Sequence, residues 1–243
     1  MTEPHATVIL AISADGKIAD AVRSPARFGS ANDKSHLEQQ VAASDAVLFG
    51  NGTLQAYGTT MRVISPELLK QRELQGKPPQ PVQIVCSRSS QFDPNLRFFQ
   101  QPVPRWLLTG QDSRETALPS PLPTKDGETA MFPYPMTNSK FDRIIYAKTA
   151  GGEIDWIDAF QQLASFGIKR LAILGGGKLV ASVLAGGLVD ELWLTVCPLI
   201  LGGADAPTPV EGKGFLADVA LKLELLAVKQ VGQEVFLHYR VDR

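Results

Sequence analysis

The chain has 243 residues, 44% of them hydrophobic and 20% charged, and a formal net charge of −1. That length buries a sizeable core in one large α/β domain or two small ones, and the near-neutral balance excludes a global pull toward nucleic acid or an anionic membrane. The start, MTEPHATVIL, has an acid, no basic run and an apolar stretch only of strand length, so neither a signal peptide nor a membrane span is expected. Cys86 and Cys197 lie in apolar, strand-like runs, which suits buried free thiols in a reducing cytoplasm better than a disulfide.

Residues 7–12, TVILAI, read as a strand, and the Asp15-Gly16 pair then signals a turn across residues 13–18. A surface loop over 19–31 leads to a helix reaching about Ala43, capped by Asn32 or Asp33, with Leu37 and Val41 inward. Residues 46–49 form a buried strand that Gly50-Asn51-Gly52-Thr53 breaks, starting a short helix. A charged amphipathic stretch over 66–75 follows, then strands at 81–86 and 105–108, with Ser87-Arg88-Ser89 just past the first. Residues 110–140 are rich in proline, serine and charge, and read as a surface excursion from a single domain. A strand at 143–147 and a helix at 155–166 with Trp156, Phe160 and Leu163 on one face come next.

Residues 171–174 are a short apolar run, followed at once by Gly175, Gly176 and Gly177. A helix with Leu179, Val180, Val183 and Leu184 on one face then runs to Gly186-Gly187. LWLTVCPLI is a further strand, and strands at 219–229 and 234–241 form a hairpin about Gly232. A bare glycine turn at a helix start suits an anion, because backbone N–H groups approach closely and the helix dipole favours negative charge. The turn is neither G-x-G-x-x-G nor a P-loop. On its own it leaves open both phosphate binding and close helix–strand packing. Strand–loop–helix units with a terminal hairpin predict an α/β fold, a mixed and mainly parallel sheet flanked by helices. In such sheets ligands lie beyond the strands' carboxyl ends. Loops 13–18, 50–53, 87–89 and 175–178 all belong there and supply glycines, hydroxyls, Arg88 and Lys178.

At these loops the sequence resembles the dihydrofolate-reductase-like superfamily, and within it the reductase domain of the bacterial riboflavin-pathway deaminase–reductase. The stretches that carry the resemblance are S-A-D-G-K-I, SDAVLFGNGT, PVQIVCSRS and LGGGKLVASVLAGGLVDELWLTVCPLILGG. The resemblance implies an eight-stranded mixed sheet, a homodimer and a cytoplasmic, NADPH-dependent reductase acting on a small molecule. It assigns the backbone of Ala11 to the nicotinamide carboxamide. Gly52, Thr53, Gly175, Gly176 and Gly177 go to the pyrophosphate. Ser87, Arg88, Lys178 and Asn51 go to the adenosine 2′-phosphate.

No catalytic residue is singled out, since water can deliver the proton that accompanies hydride transfer. No metal site is expected: His36-Leu37-Glu38 matches the start of a zinc-deaminase motif, but no Pro-Cys-x-x-Cys follows. Three departures fall where the family usually has polar groups, at Leu174, at Gln55-Ala56-Tyr57-Gly58 and at Val41, all assigned to the substrate side. They predict weak or absent turnover of the usual phosphoribosylamino-pyrimidine, whose polar groups would go unpaired. Pterin or folate reduction is a second reading. It needs a buried carboxylate on the first helix, for which Asp33 is the candidate. Asp33 and Tyr57 are therefore the candidate substrate-contacting residues. A non-catalytic nucleotide-binding paralogue is the third reading.

Overall fold

The computed structural model describes residues 3–111 and 140–242, so nearly all of the predicted excursion lies outside the described residues. Eleven strands are described: β1 His5–Ser13, β2 Ala46–Gly50, β3 Val82–Cys86, β4 Arg105–Gly110, β5 Arg143–Ala147, β6 Thr149–Ala150, β7 Glu153–Ile154, β8 Arg170–Ile173, β9 Glu191–Cys197, β10 Leu223–Val231 and β11 Glu234–Val241. The helices are α1 Ala31–Ala43, α2 Asn51–Tyr57, α3 Pro66–Leu74, α4 Trp156–Ser165 and α5 Gly177–Ala185.

Nine strands form one sheet in the order β10-β11-β9-β1-β8-β2-β3-β4-β5. From β9 to β5 every neighbouring pair is parallel, and the terminal hairpin adds antiparallel to β9. This is the mixed, mainly parallel, single-domain α/β architecture expected of the dihydrofolate-reductase-like class. The strand count corrects the eight that the resemblance implied: all nine strands legible in the sequence, both edges included, pair into the same sheet.

Alternation along the strands divides the core in two. Val8, Leu10, Leu48, Ile84, Leu108 and Ile173 point to one face, where Phe160 and Leu163 of α4 and Val180 and Val183 of α5 cover them. Ile9, Val47, Phe49, Val85 and Ala172 point to the other, under Val41 and Ala42 of α1 and Leu54 of α2. Buried side chains such as these contribute about 1.5–3 kcal/mol each. Val41 is fully buried there, which corrects its assignment to the substrate side: a valine at that place is core.

Two polar devices set the height of β2, and hence where its glycine end falls. Arg72 is buried, and its guanidinium donates to the carbonyls of Ala42, Ser44 and Pro78 at 2.7–2.8 Å, closing the turn from α1 into β2. The Asp45 carboxylate accepts from the N–H groups of Lys169 and Arg170, both at 2.9 Å, and joins the start of β2 to the start of β8.

Candidate active site

The strand order puts the carboxyl ends of β1, β8, β2 and β3 side by side, so the four loops singled out in the sequence are neighbours. Gly50 at the end of β2 donates its N–H to the Gly175 carbonyl at 3.0 Å, which ties two of the glycine turns together. Gly50 is also paired with Cys86, one residue before Ser87. A Cβ on Gly176 would lie 3.6 Å from the Thr53 hydroxyl, so the starts of α2 and α5 converge.

Helix capping separates these two helices from the rest. Ser30, Ser65 and Asp155 cap α1, α3 and α4 with side-chain oxygens. Both α2 and α5 begin after a glycine, Gly50 and Gly176, with no side-chain cap. The first N–H groups of a helix have no intrahelical acceptor, so these two starts leave donors and the positive ends of two dipoles at one place.

Of the three glycines in the turn, Gly177 has a packing reason of its own. A Cβ there would come 2.3 Å from the Thr208 carbonyl, and Glu211 donates its N–H to the Gly177 carbonyl at 3.1 Å. The Glu211 carboxylate pairs with Arg23 at 3.0 Å. Asp15 holds the neighbouring strap. Its carboxylate accepts from the Ser13 hydroxyl and from the N–H groups of Leu201 and Gly202, and these bonds lower its pKa to about 2.

The cationic residues are exposed. Lys178 stands on the first turn of α5, and Arg88, just past β3, meets Glu153 of β7 at 3.0 Å. Ser87 is buried, and its hydroxyl accepts from the Ser90 N–H at 3.2 Å.

Across the edge, on the α1 face, the walls are made of side chains. Ala11 is half-buried and sits opposite Thr195 in the β1–β9 pairing. The Thr195 side chain lies near enough to the Asp33 carboxylate to favour its anion. The helix cap is Ser30, not Asn32 or Asp33: its hydroxyl accepts from the N–H groups of both. That frees the Asp33 carboxylate to turn toward the sheet. It lies so close to Gly29 that a Cβ there would come 2.1 Å from Oδ2. Burial, first, and the charge of Glu234 raise the pKa of Asp33, against the influence of Thr195. Tyr57 donates its hydroxyl to the Ala26 carbonyl at 3.0 Å and feels the Asp33 charge. Leu174 packs on the apolar cluster of this same face.

Two residues of this half, Thr195 and Glu234, were not legible in the sequence. Thr195 is the one polar side chain between Trp193 and Cys197 on an inward-facing alternation, a faint signal. Glu234 follows a hairpin turn, where an acid normally reads as solvated. His36 packs edge-on to Trp193 and Phe236, and Glu38 accepts from the N–H groups of Ile64 and Ser65, so the His-x-Glu fragment is structural. Among the described residues no cluster of three or more His, Cys, Asp or Glu side chains could hold a metal.

Known proteins extend this picture. The 2,5-diamino-6-ribosylamino-4(3H)-pyrimidinone 5′-phosphate reductase of Archaeoglobus fulgidus is 27% identical over 241 residues, covering 99% of both chains. The protein of that name from Methanothermobacter thermautotrophicus is 28% identical and covers 98% of both. The riboflavin biosynthesis protein RibD of Escherichia coli is 27% identical over 97% of this chain and 59% of its own length. Among solved structures, a pyrimidine reductase-like protein from Corynebacterium diphtheriae superposes with a TM-score of 0.77 at 21% identity, covering 99% of this chain and 92% of that one. Residues 4–237 match the RibD C-terminal domain, and the chain belongs to that family.

Proposed function

We propose that this protein is a cytoplasmic, NADPH-dependent reductase of a small aminopyrimidine-type heterocycle, similar to the riboflavin-pathway reductases it resembles. The observation that carries the reading is the pair of helix starts at Gly50 and Gly176, which lack the side-chain caps that the other helices have. Gly52, Thr53, Gly175, Gly176 and Gly177 would hold a pyrophosphate there, donating backbone N–H groups. Asn51, Ser87, Arg88 and Lys178 would surround the 2′-phosphate, and Ala11 would meet the carboxamide. The group supplies a hydride when bound. This chain's residues orient the partners, exclude water and hold the substrate at Asp33 and Tyr57.

Leu174 places an apolar side chain on the substrate face, which supports weak turnover of the phosphoribosylamino-pyrimidine itself. The half-buried Asp33 carboxylate at the start of α1 favours a second reading, reduction of a pterin or folate, whose ring presents adjacent N–H donors to a carboxylate. A homodimer is part of the proposal. Edge strand β10 exposes Leu223, Leu225 and Val228, each more than 40% accessible, and exposed apolar edges invite pairing.

Saturating NADPH is expected to raise the melting temperature, since a ligand that binds only the native state stabilises it by mass action. An unmoved melting temperature would sink the cofactor assignment. NADPH oxidation over a panel of ribosylaminopyrimidines and pterins then separates the two substrates. Binding without any turnover would instead make the protein a nucleotide-binding paralogue. Sedimentation showing only monomer would remove the dimer.

A further inference from the structure

We propose that Arg23 is a positioning residue for the dinucleotide site: its ion pair draws the Glu211 carboxylate aside, so that the first N–H groups of α5 stay open for the pyrophosphate. The proposal rests on the reading of α5 as a phosphate-binding helix. The Glu211 side chain lies against the first residue of α5: a Cβ on Gly177 would come 2.8 Å from its Cγ and 3.1 Å from its Oε2. In a helix the Cα–Cβ bond leans toward the N-terminal end, so this carboxylate stands at the open rim of α5. Its backbone is fixed there by its own N–H, which donates to the Gly177 carbonyl at 3.1 Å. The carboxylate nonetheless does not cap the helix, which has no side-chain cap. Its Oε1 accepts instead from Arg23 Nη2 at 3.0 Å.

Arg23 is held in place from its own side. It belongs to the loop of residues 14–30, which is fastened to the strap through the Ile18 N–H on the Pro207 carbonyl at 2.9 Å and Lys17 Nζ on the Ala206 carbonyl at 3.3 Å. Arg23 has a φ of +58°, the left-handed conformation that is uncommon outside glycine. Asp20 imposes it: its carbonyl accepts the Arg23 N–H at 3.0 Å and its carboxylate accepts the Ser24 N–H at 2.8 Å. A glycine or an asparagine would take this backbone at less cost. An arginine there places a guanidinium at the tip of the turn, opposite Glu211.

An anion-binding helix start with a carboxylate of its own has two possible occupants. A free carboxylate at that place caps the helix, because the unpaired N–H groups and the dipole both favour it. With Arg23 present the carboxylate is paired and its charge offset, and a pyrophosphate meets open donors. With Arg23 absent, rotation about the last side-chain bonds of Glu211 turns the carboxylate onto the N–H of Lys178 or Leu179, and a pyrophosphate must displace it. The side chain of Glu211 is 18% exposed, so solvent screens this competition only in part. The two ends of the ion pair therefore act with opposite signs: losing Arg23 weakens the cofactor, losing the charge of Glu211 does not, and losing both undoes the first effect. A pair that merely tied the loop to the strap would give equal losses from either substitution.

The test has a ligand-free arm and a cofactor arm. In the ligand-free protein, R23A should shift the nitrogen-15 and proton amide resonances of Lys178 and Leu179, and R23A/E211Q should return them to their wild-type positions. In cofactor titrations, R23A should raise the Kd of NADPH by about three- to tenfold, the range of a carboxylate at a helix start. NADH should lose by the same factor, since both dinucleotides carry the pyrophosphate. R23K should stay near wild type, E211Q should bind as well as wild type or better, and R23A/E211Q should recover wild-type affinity. Amide resonances of residues 178 and 179 that R23A leaves in place overturn the proposal. So does a double variant as weak as R23A, or an E211Q protein as weak as R23A. A wild-type protein that binds neither dinucleotide removes the cofactor reading alone, and the ligand-free arm still decides whether Arg23 keeps Glu211 off the helix.

Discussion

The two halves of the strand-end edge are built by different means. Toward β8, β2 and β3 the site consists of backbone: glycine turns, uncapped helix starts and a carbonyl-to-amide bond between Gly50 and Gly175. Toward β9 and β11 it consists of side chains, Asp33, Thr195, Glu234 and Tyr57, brought together from four elements. A backbone-built half would suit what nucleotide ligands share, a phosphate chain. A side-chain half can be rewritten one residue at a time, and here Leu174 is apolar while Asp33 is turned inward. Under the proposed function, the division would let one fold keep a cofactor and change a substrate.

Replacing Asp33 should break the comparison most sharply. D33N removes the carboxylate that the proposed function puts on the substrate side and is expected to lower kcat by about 10²-fold or more, with little effect on NADPH affinity. Stability should move the other way. The folded-state pKa of Asp33 is raised, so above its unfolded value, near 3.9, the native state binds the proton more tightly than the unfolded chain does. Stability is therefore lost as pH rises from there through the folded pKa. D33N should melt higher than wild type at pH 7, and the advantage should vanish below about pH 4. An equal loss of kcat and of NADPH binding would show that the halves are not separable.

The backbone half is sharpened by two glycines that differ in why they are glycine. G177A drives a Cβ into the Thr208 carbonyl and should cost about 1–3 kcal/mol, read in denaturant unfolding. A Cβ on Gly52 meets nothing within 4 Å, and Gly52 lies inside α2. G52A should therefore leave the fold intact or stabilise it by up to about 1 kcal/mol. If Gly52 admits a phosphate to the backbone, G52A should weaken NADPH nonetheless. Unchanged NADPH affinity in G52A would remove Gly52 from the site.

Legibility in the sequence follows the same division. The strands, their order of appearance and the glycine turns were readable because each is a local signal: an apolar run, a breaker, a helical period. Asn32 and Asp33, close behind Ser30, are equally good caps by type, so residue type does not single out Ser30. Position relative to a motif says nothing of which helix face Val41 takes; its burial beside Val47 and Phe49 does. Thr195 and Glu234 join the site only through the β1–β9 pairing and the terminal hairpin. The electrostatic influence of residues 195 and 234 on residue 33 has no local signature.

The smallest expected effects lie where the proposed function puts the adenosine, and there the two cations are not equivalent. Lys178 stands on a helix start and Arg88 is engaged with Glu153, both of that pair being more than 70% exposed. An exposed pair of this kind is worth at most about 1 kcal/mol. K178A should weaken NADPH by about tenfold, on the order of 1.4 kcal/mol, and leave NADH nearly unchanged, because only the former has the 2′-phosphate. R88A should cost less than tenfold, since the wild-type arginine must give up its carboxylate partner to serve the phosphate. E153Q should then act in the opposite sense. It removes the ion pair with Arg88 and a like charge from the phosphate's surroundings, tightening NADPH by a few-fold, about 0.5–1 kcal/mol, with no gain for NADH. Added salt should shrink all three effects. Paired titrations of NADPH and NADH on the three variants decide the matter. Equal changes for the two dinucleotides would mean that this surface does not read the 2′-phosphate, and the Arg88–Glu153 pair would then be a surface contact of the β3 and β7 loops and nothing more.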